Sequence, residues 1–400
     1  MTSHLRNQLM EGRVNLPRVG SVVQLETQHP PYAVLGPDGE PVKPVVPYLR
    51  DLALNHNSPS TGRSYAYDLL RWFRFLWLLE VPWDKATEGE VAVMVGWLRT
   101  AVNPQRRRSS AASPQPGSVN PRTGKRYLRA GYAPTTTNHA LTVVSSFYDF
   151  HRYSGRGPLM NPVPVSEARR RALAHRSPME AAPVFRRARL RQRVPVTEPR
   201  AMPDAMWDEF FAAMNHDRDR AAVLLYVASG ACASELLGVT PGDIDWPGQI
   251  VYVVSKGTKL REPVPVSPQS LVVLAAYLDA VGMPAAHAPV FRTRRGPEKP
   301  LTYWAMRRVV QRANDRLKTN WSLHDLRHTA AERMANDPHL TLAEVRAILR
   351  HADLATTGRY LHAQVEDLFD ALQAHYHRPR VRPSIAPGYD PEDFKVVFGG

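Results

Sequence analysis

The sequence predicts a mainly α-helical protein with one small β-hairpin or sheet: an all-helical first domain followed by a mixed α+β domain. Three observations carry this. Apolar residues recur at helical spacing through much of residues 46–151. A single β-rich run, Ile250-Val251-Tyr252-Val253-Val254, is followed by a turn and a short return, Val264-Pro265-Val266. Pro- and Arg-rich stretches at 102–131 and 163–200 interrupt the periodic segments. A length of 400 residues fits two domains.

Residues 1–44 are polar, with Leu35-Gly36-Pro37-Asp38-Gly39-Glu40 as a turn between short extended pieces. They read as an N-terminal arm or lead segment. The helical domain covers 45–162. Val46-Pro47-Tyr48-Leu49 opens its first helix. Ser58-Pro59-Ser60-Thr61 starts the next, where Leu69, Trp72, Phe73 and Leu76 fall at i, i+3, i+4 and i+7 on one apolar face. Thr87-Glu88-Gly89-Glu90 begins a third, running through Val91, Met94, Val95 and Leu98. Residues 102–131 hold Pro104, Pro114, Pro116 and Pro121 together with Arg106, Arg107 and Arg108, and read as a flexible basic insertion. Thr135-Thr136-Thr137-Asn138 caps a last helix through Leu141, Val144, Phe147, Tyr148 and His151, and Asn161-Pro162 closes the domain.

Residues 163–200 read as a basic linker that includes Arg186, Arg187 and Arg189. It is either a solvated stretch or a strap that tracks phosphates. The second domain covers 201–375. In its hairpin, Pro263 and Pro265 mark the returning strand as a short edge strand, because proline cannot donate to a ladder. Thr341-Leu342-Ala343-Glu344 is a capping box opening a helix to Arg350. Residues 376–400 form a Pro-containing tail.

Lys and Arg number 52 against 37 Asp and Glu, a formal net charge of +15. Such a surplus favours a polyanionic partner, DNA or RNA. Arg supplies 44 of the 52 cations; its planar fork suits phosphate, although an Arg-, Ala- and Pro-rich composition also reflects a GC-rich genome. The one cysteine, Cys232, rules out a disulfide framework within the chain and points to a reducing compartment. Met1 to Pro17 has no apolar signal-peptide core, and the apolar stretch Ala221 to Ala233 is too short to span a bilayer. The expectation is a soluble, cytoplasmic protein with no membrane association.

The chemistry-bearing residues cluster late. His324 and Arg327 stand at i, i+3, which on a helix puts both on one face. Arg can grip two non-bridging phosphate oxygens while His donates a hydrogen bond or moves a proton. His324 and His328 also have zinc-pair spacing, but no third ligand follows, so no metal is expected. His351 lies further on, and Tyr360 nine residues after it. Surrounding cations would favour its phenolate, and attack on phosphorus would conserve the bond energy in a phosphotyrosine, with no cofactor. Lys256, in the hairpin turn, is either an ordinary exposed turn lysine or, if the turn pushes it into a cleft, an acid that could protonate a leaving 5′-oxygen.

The set resembles the tyrosine recombinase (phage integrase) family. Its His-x-x-Arg box, following His and nucleophilic Tyr are matched by His324, Arg327, His351 and Tyr360 in type, order and spacing. Its hairpin lysine falls on Lys256. Its upstream box, Thr-Gly-Leu-Arg-Ile-Ser-Glu-Leu, aligns with Ser229-Gly230-Ala231-Cys232-Ala233-Ser234-Glu235-Leu236. One position departs: the family's first catalytic Arg falls on Cys232, which cannot supply a guanidinium. The resemblance implies a helical, SAM-like core-binding domain and a catalytic domain that cleaves and rejoins DNA strands through a 3′-phosphotyrosine.

The implied partner is double-stranded DNA with paired half-sites, held by a homotetramer, with an accessory DNA-bending protein as a further candidate partner. A prokaryotic, phage or other mobile-element origin and nucleoid association follow from the same resemblance. Cys232 implies weakened cleavage with DNA binding retained, unless another Arg substitutes in space. Two alternatives stay open: a catalytically inactive DNA-binding protein of the same fold, and a type IB topoisomerase.

Overall fold

The computed structural model describes residues 2–27, 29–55, 57–106, 113–165, 188–195, 200–255, 259–295 and 298–350. The chain forms two compact units, Met1–Thr197 and Glu198–Gly400.

The first unit contains α1 (Thr2–Met10), β1 (Ser21–Gln24), β2 (Tyr32–Leu35), α2 (Val45–Leu54), α3 (Pro59–Leu78), α4 (Glu88–Thr100) and α5 (Pro134–Tyr153). The start of α3 follows from its cap: Ser58 Oγ accepts the Thr61 N–H at 3.3 Å, and Pro59 takes a position whose N–H would have no partner. The face expected from spacing is the one buried: Leu69, Trp72, Phe73 and Leu76 are all at most 3% exposed. Each such side chain contributes roughly 1.5–3 kcal/mol by leaving water. Trp72 Nε1 donates to the Tyr148 hydroxyl at 3.1 Å, which donates to the Trp83 carbonyl at 2.8 Å. The largest rings of α3 and α5 therefore enter the core with their polar ends satisfied.

Residues 1–44, expected as an arm or lead segment, are integral to this unit. β1 and β2 pair antiparallel, and Leu9, Val34 and Val42 lie in the same core as α3. Arg6 of α1 pairs with Glu90, which also accepts the Thr87 N–H at 2.8 Å in the capping box of α4. A Cβ on Gly96 would meet Met10 Cγ at 2.7 Å, so the approach of α1 to α4 needs glycine there. Hydrophobic burial of short apolar pieces, invisible to periodicity, draws this stretch in.

The insertion at 102–131 is likewise closed at its base, by Asn103 N–H donating to the Ala130 carbonyl at 2.9 Å. The Asn120 side chain accepts the Arg122 and Thr123 N–H groups and organises a turn within it. Part of the basic linker follows α5: Asn138 donates to the Gln192 carbonyl at 2.9 Å and accepts its N–H at 2.7 Å.

The second unit contains α6 (Asp204–Ala212), α7 (Asp217–Ser229), α8 (Ala233–Leu236), β3 (Ile244–Asp245), β4 (Ile250–Val254), β5 (Arg261–Pro265), α9 (Pro268–Val281), α10 (Tyr303–Leu317), α11 (Leu323–Ala335) and α12 (Leu342–Leu349). The expected hairpin is β4–β5, with Val251 opposite Val264 and Tyr252 opposite Pro263. A two-residue strand, β3, extends it to a three-stranded antiparallel sheet in the order β3-β4-β5. The proline-bearing β5 is thus an edge, where a missing N–H costs least. Helix α7 is buried over most of its surface and packs against α9 and α11 at the centre of the unit's core. No helix among the described residues is long and apolar enough to cross a membrane.

Candidate active site

Helix α11 begins with a capping box. Asp325 accepts from the Ser322 N–H and Oγ, both at 2.7 Å, and Ser322 Oγ accepts the Asp325 N–H at 3.3 Å. This fixes the first turn, so the i, i+3 relation of His324 and Arg327 is realised on a helix. Leu326 and Ala330 pack inward at no more than 1% exposure. Thr329 Oγ1, donating to the Asp325 carbonyl, accepts the Met202 N–H at 2.8 Å and ties the helix to the start of the unit. The His324 and His328 rings stack edge to face, with centroids 4.1 Å apart. Among the described residues, no group of three or more His, Cys, Asp or Glu side chains could hold a metal ion.

The box around Cys232 forms by local necessity. Helix α7 ends at Gly230, in the left-handed region at φ 58°. A Cβ there would also meet Leu349 Cδ2 at 2.6 Å, so both conformation and space require glycine. The chain turns at once into the single-turn α8, with Cys232 as its N-cap. Glu235 reaches back, its Oε2 accepting the Cys232 N–H at 2.8 Å.

Arg327 joins this box to the end of α12. Its Nη1 donates to Cys232 Sγ at 2.8 Å and its Nη2 to the Leu349 carbonyl at 2.8 Å. That carbonyl lies at a helix C-terminus, where partial negative charge suits a cation. The next residue, Arg350, caps α12 at φ 53°, a conformation unfavourable for a residue with a Cβ by about 1–2 kcal/mol. Its Nη2 donates to Glu235 Oε2 at 2.8 Å and its Nε lies 3.6 Å from Glu262 Oε2 on β5. The Arg350 and Glu235 side chains are only 12% and 5% exposed. Nearby, burial foremost, and then the neighbouring Cys232, push the Tyr226 phenol far above its ordinary range, so it stays neutral.

Two sequence-derived site residues, Cys232 and Arg327, are therefore in direct contact, and His324 shares the helix of Arg327. Lys256, His351 and Tyr360 lie outside the described residues, as do Arg107, Arg108, Arg186, Arg187 and the tail at 376–400. Arg106 ends a short 3-10 turn in the first unit and Arg189 pairs with Glu88. Sequence reasoning overlooked Arg350. Its signal was an arginine at a helix end where glycine is the usual choice, directly before His351.

A second concentration of cations lines a groove of the same unit. It is formed by His216, Arg218, Arg294, Arg295, Arg308 and Arg312, with Arg218 and Arg312 both bound to the buried Asp219. Burial first, and then Arg294, hold His216 below its usual value, leaving Asp219 to oppose them.

Residues 203–367 match the Phage integrase family. A tyrosine recombinase XerC of Pelobacter propionicus is 31% identical over 165 residues, covering 41% of this chain and 53% of that protein. A Myxococcus xanthus tyrosine recombinase XerC is 27% identical over 340 residues, covering 80% of this chain and 93% of that protein. The chain thus spans about half the length of the first relative and most of the second. In fold it is similar to a lambda integrase dimer bound to a core site, with a TM-score of 0.52 at 15% identity over 86% of this chain and 98% of that one. It is also similar to the Tn1549 transposon integrase in complex with transposon right end DNA, with a TM-score of 0.55 at 13% identity over 82% of this chain and 97% of that one. The match across residues 203–367 takes in the Cys232 box, the His324–Arg327 helix and Tyr360 alike, so this segment of the chain is a domain of the Phage integrase family type.

Proposed function

We propose that the chain is a site-specific DNA recombinase that breaks and rejoins strands through a 3′-phosphotyrosine at Tyr360. The observation that carries this is the meeting of Arg327 on α11 with the Cys232 box, which places a guanidinium beside the segment that aligns with the family's first box. The Tyr360 phenolate attacks the scissile phosphorus, the P–O5′ bond breaks, and the leaving 5′-oxygen takes a proton from the Lys256 ammonium. The freed 5′-hydroxyl of a partner strand then reverses the step. Arg327 holds a non-bridging oxygen, His324 donates to the phosphate, and His351 supports its developing charge.

The substrate is double-stranded DNA with paired half-sites, bound by four copies of the chain inside the cell, with an accessory DNA-bending protein as a candidate helper. The +15 charge and the Arg-lined groove of the second unit favour such a polyanion, with Arg106, Arg107, Arg108, Arg186, Arg187 and Arg189 as further backbone contacts. Cys232 brings no guanidinium, so strand cleavage is slower than with Arg at this position while DNA binding persists. The same observation favours a second reading, a DNA-binding protein of this fold that does not cleave.

The test uses a nicked suicide duplex whose half-sites are selected from a random pool by binding to the chain. Covalent protein–DNA adduct is expected, formed about tenfold or more faster by Cys232→Arg, since one oxyanion donor is worth about 10²–10³ in rate and a neighbour offsets part of it. Tyr360→Phe should abolish the adduct in both backgrounds. Adduct that survives Tyr360→Phe overturns the nucleophile assignment. DNA binding without adduct, even for Cys232→Arg, leaves the non-catalytic reading.

A further inference from the structure

We propose that Arg350 supplies the guanidinium that Cys232 lacks, making it a catalytic residue of this chain; the inference rests on the recombinase reading above. Four contacts argue for it. Glu235 Oε2 accepts the Cys232 N–H and Arg350 Nη2, each at 2.8 Å, so the Arg350 guanidinium is held one carboxylate oxygen away from the Cys232 backbone. Arg327 Nη1 touches the Cys232 sulfur, and Arg327 Nη2 binds the carbonyl of Leu349, the residue joined to Arg350. Two guanidinium groups therefore converge on one short segment, one from α11 and one from the end of α12.

Charge favours the arrangement. Glu235 is buried, and a cysteine beside it neutralises nothing. An anionic phosphate approaching Arg327 would meet that carboxylate if no cation covered it. Arg350 covers it, with Glu262 on β5 at 3.6 Å steadying the other side of the guanidinium. An arginine carries five N–H donors in a fixed plane. Nη2 uses one hydrogen on Glu235, and Nη1 donates to the Ile348 carbonyl at 3.1 Å. Each Nη retains a second hydrogen for phosphate oxygens. Lysine could not serve both anions from one rigid plane. As Tyr360 attacks and the P–O5′ bond breaks, Arg327 and Arg350 would each stabilise charge on the non-bridging oxygens.

A cation that replaces a missing one shows itself by dependence on the position it replaces. Adduct formation on the same nicked duplex is measured for the unsubstituted chain, for Arg350→Ala and Arg350→Lys, for Cys232→Arg, and for each Arg350 change in the Cys232→Arg background. Arg350→Ala should slow adduct formation by about 100-fold or more in the otherwise unsubstituted chain, the size expected of a lost oxyanion donor. In the Cys232→Arg background the same change should cost less than about fivefold, because the restored arginine covers Glu235 itself. Arg350→Lys should fall between Arg350→Ala and the unsubstituted chain. Binding to the intact duplex and the thermal unfolding midpoint, read on every variant, separate loss of fold from loss of chemistry.

Equal losses in both backgrounds make Arg350 a structural cap and overturn the proposal, as does an unaltered rate in Arg350→Ala. If Arg350→Ala fails to fold, Arg350→Lys carries the comparison in both backgrounds with the same criteria. Adduct from Cys232→Arg but none from the unsubstituted chain also overturns it, since Arg350 then supplies nothing. Absence of adduct from every chain, Cys232→Arg included, instead sinks the recombinase reading on which the proposal depends.

Discussion

The two units bury polar groups in opposite ways. In the first, beside the Arg6–Glu90 and His139–Asp68 pairs, the neutral ones are spent on backbone and aromatic packing. His151, fully buried, has its Nε2 2.8 Å from the Pro44 carbonyl, and Trp72, Tyr148 and the Trp83 carbonyl form a closed chain. Burial pushes the Tyr148 phenol well up and the His151 imidazole down, so both stay neutral. In the second, two guanidinium groups, Arg327 of α11 and Arg350 at the end of α12, meet around the start of α8, at Cys232 and Glu235, and the Leu349 carbonyl. Neutral polar groups inside a core consolidate a fold, because each is worth most when satisfied and hidden. Cations held at helix termini keep donors to spare and a field to direct, which is what binding a phosphate requires.

That contrast can be broken by substitution. The largest effect is expected from Arg327→Ala, which removes a guanidinium, orphans the Leu349 carbonyl and leaves the unit's core untouched. Adduct formation should fall by about 10³-fold or more, with the unfolding midpoint changed far less than by core substitutions. A large drop in midpoint without a change in rate would reverse the distinction. Next comes Trp72→Ala in the first unit, expected to cost about 3–5 kcal/mol of stability through lost burial and a residual cavity. Amide exchange in α3 and α5 should accelerate, while exchange in α11 is unaffected; uniform acceleration would show that the units do not act separately.

The smallest effect concerns pH and sharpens the picture within the first unit. A hydrogen bond to Asp68, ahead of opposing burial, raises His139, whereas burial lowers His151. Stability from the His139 pair is complete below 6.5, its ordinary value, and is lost as pH rises through the higher folded value. For His151 the sign reverses: stability is complete above 6.5 and is lost as pH falls through the lower folded value. His139→Asn should therefore flatten the decline of α5 exchange protection on the alkaline side and spare the acid side. The change should be small, since the His139 ring is 44% exposed and water screens the pair. An altered acid limb in this variant would contradict the assignment.

Much of this was written along the chain. Spacing placed Leu69, Trp72, Phe73 and Leu76 on one buried face, and the caps at Ser58, Thr87 and Thr341 marked helix starts that the structure retains. Prolines identified β5 as an edge. The type and order of His324, Arg327, His351 and Tyr360 named the family before any contact was known. The faces, caps and edge are local signals, each set by residues within one or two turns of each other, so periodicity and capping chemistry report them directly, whereas the site motif is read from residue type and order.

Other features needed the folded chain. The three residues Leu9, Val34 and Val42 join the first core from a segment with no long periodic run, because burial of a few apolar side chains depends on what surrounds them rather than on spacing. The strand β3 is only two residues long and exists by pairing with β4. Above all, the sequence by itself supplied the resemblance to the phage integrase family and aligned Cys232 with the position where that family has a guanidinium. Only the tertiary structure decided that Arg350, 118 positions later (350 minus 232), returns its guanidinium to that box through Glu235. Charge compensation acts through space over a few ångströms, and nothing in linear order records which distant cation will close that distance.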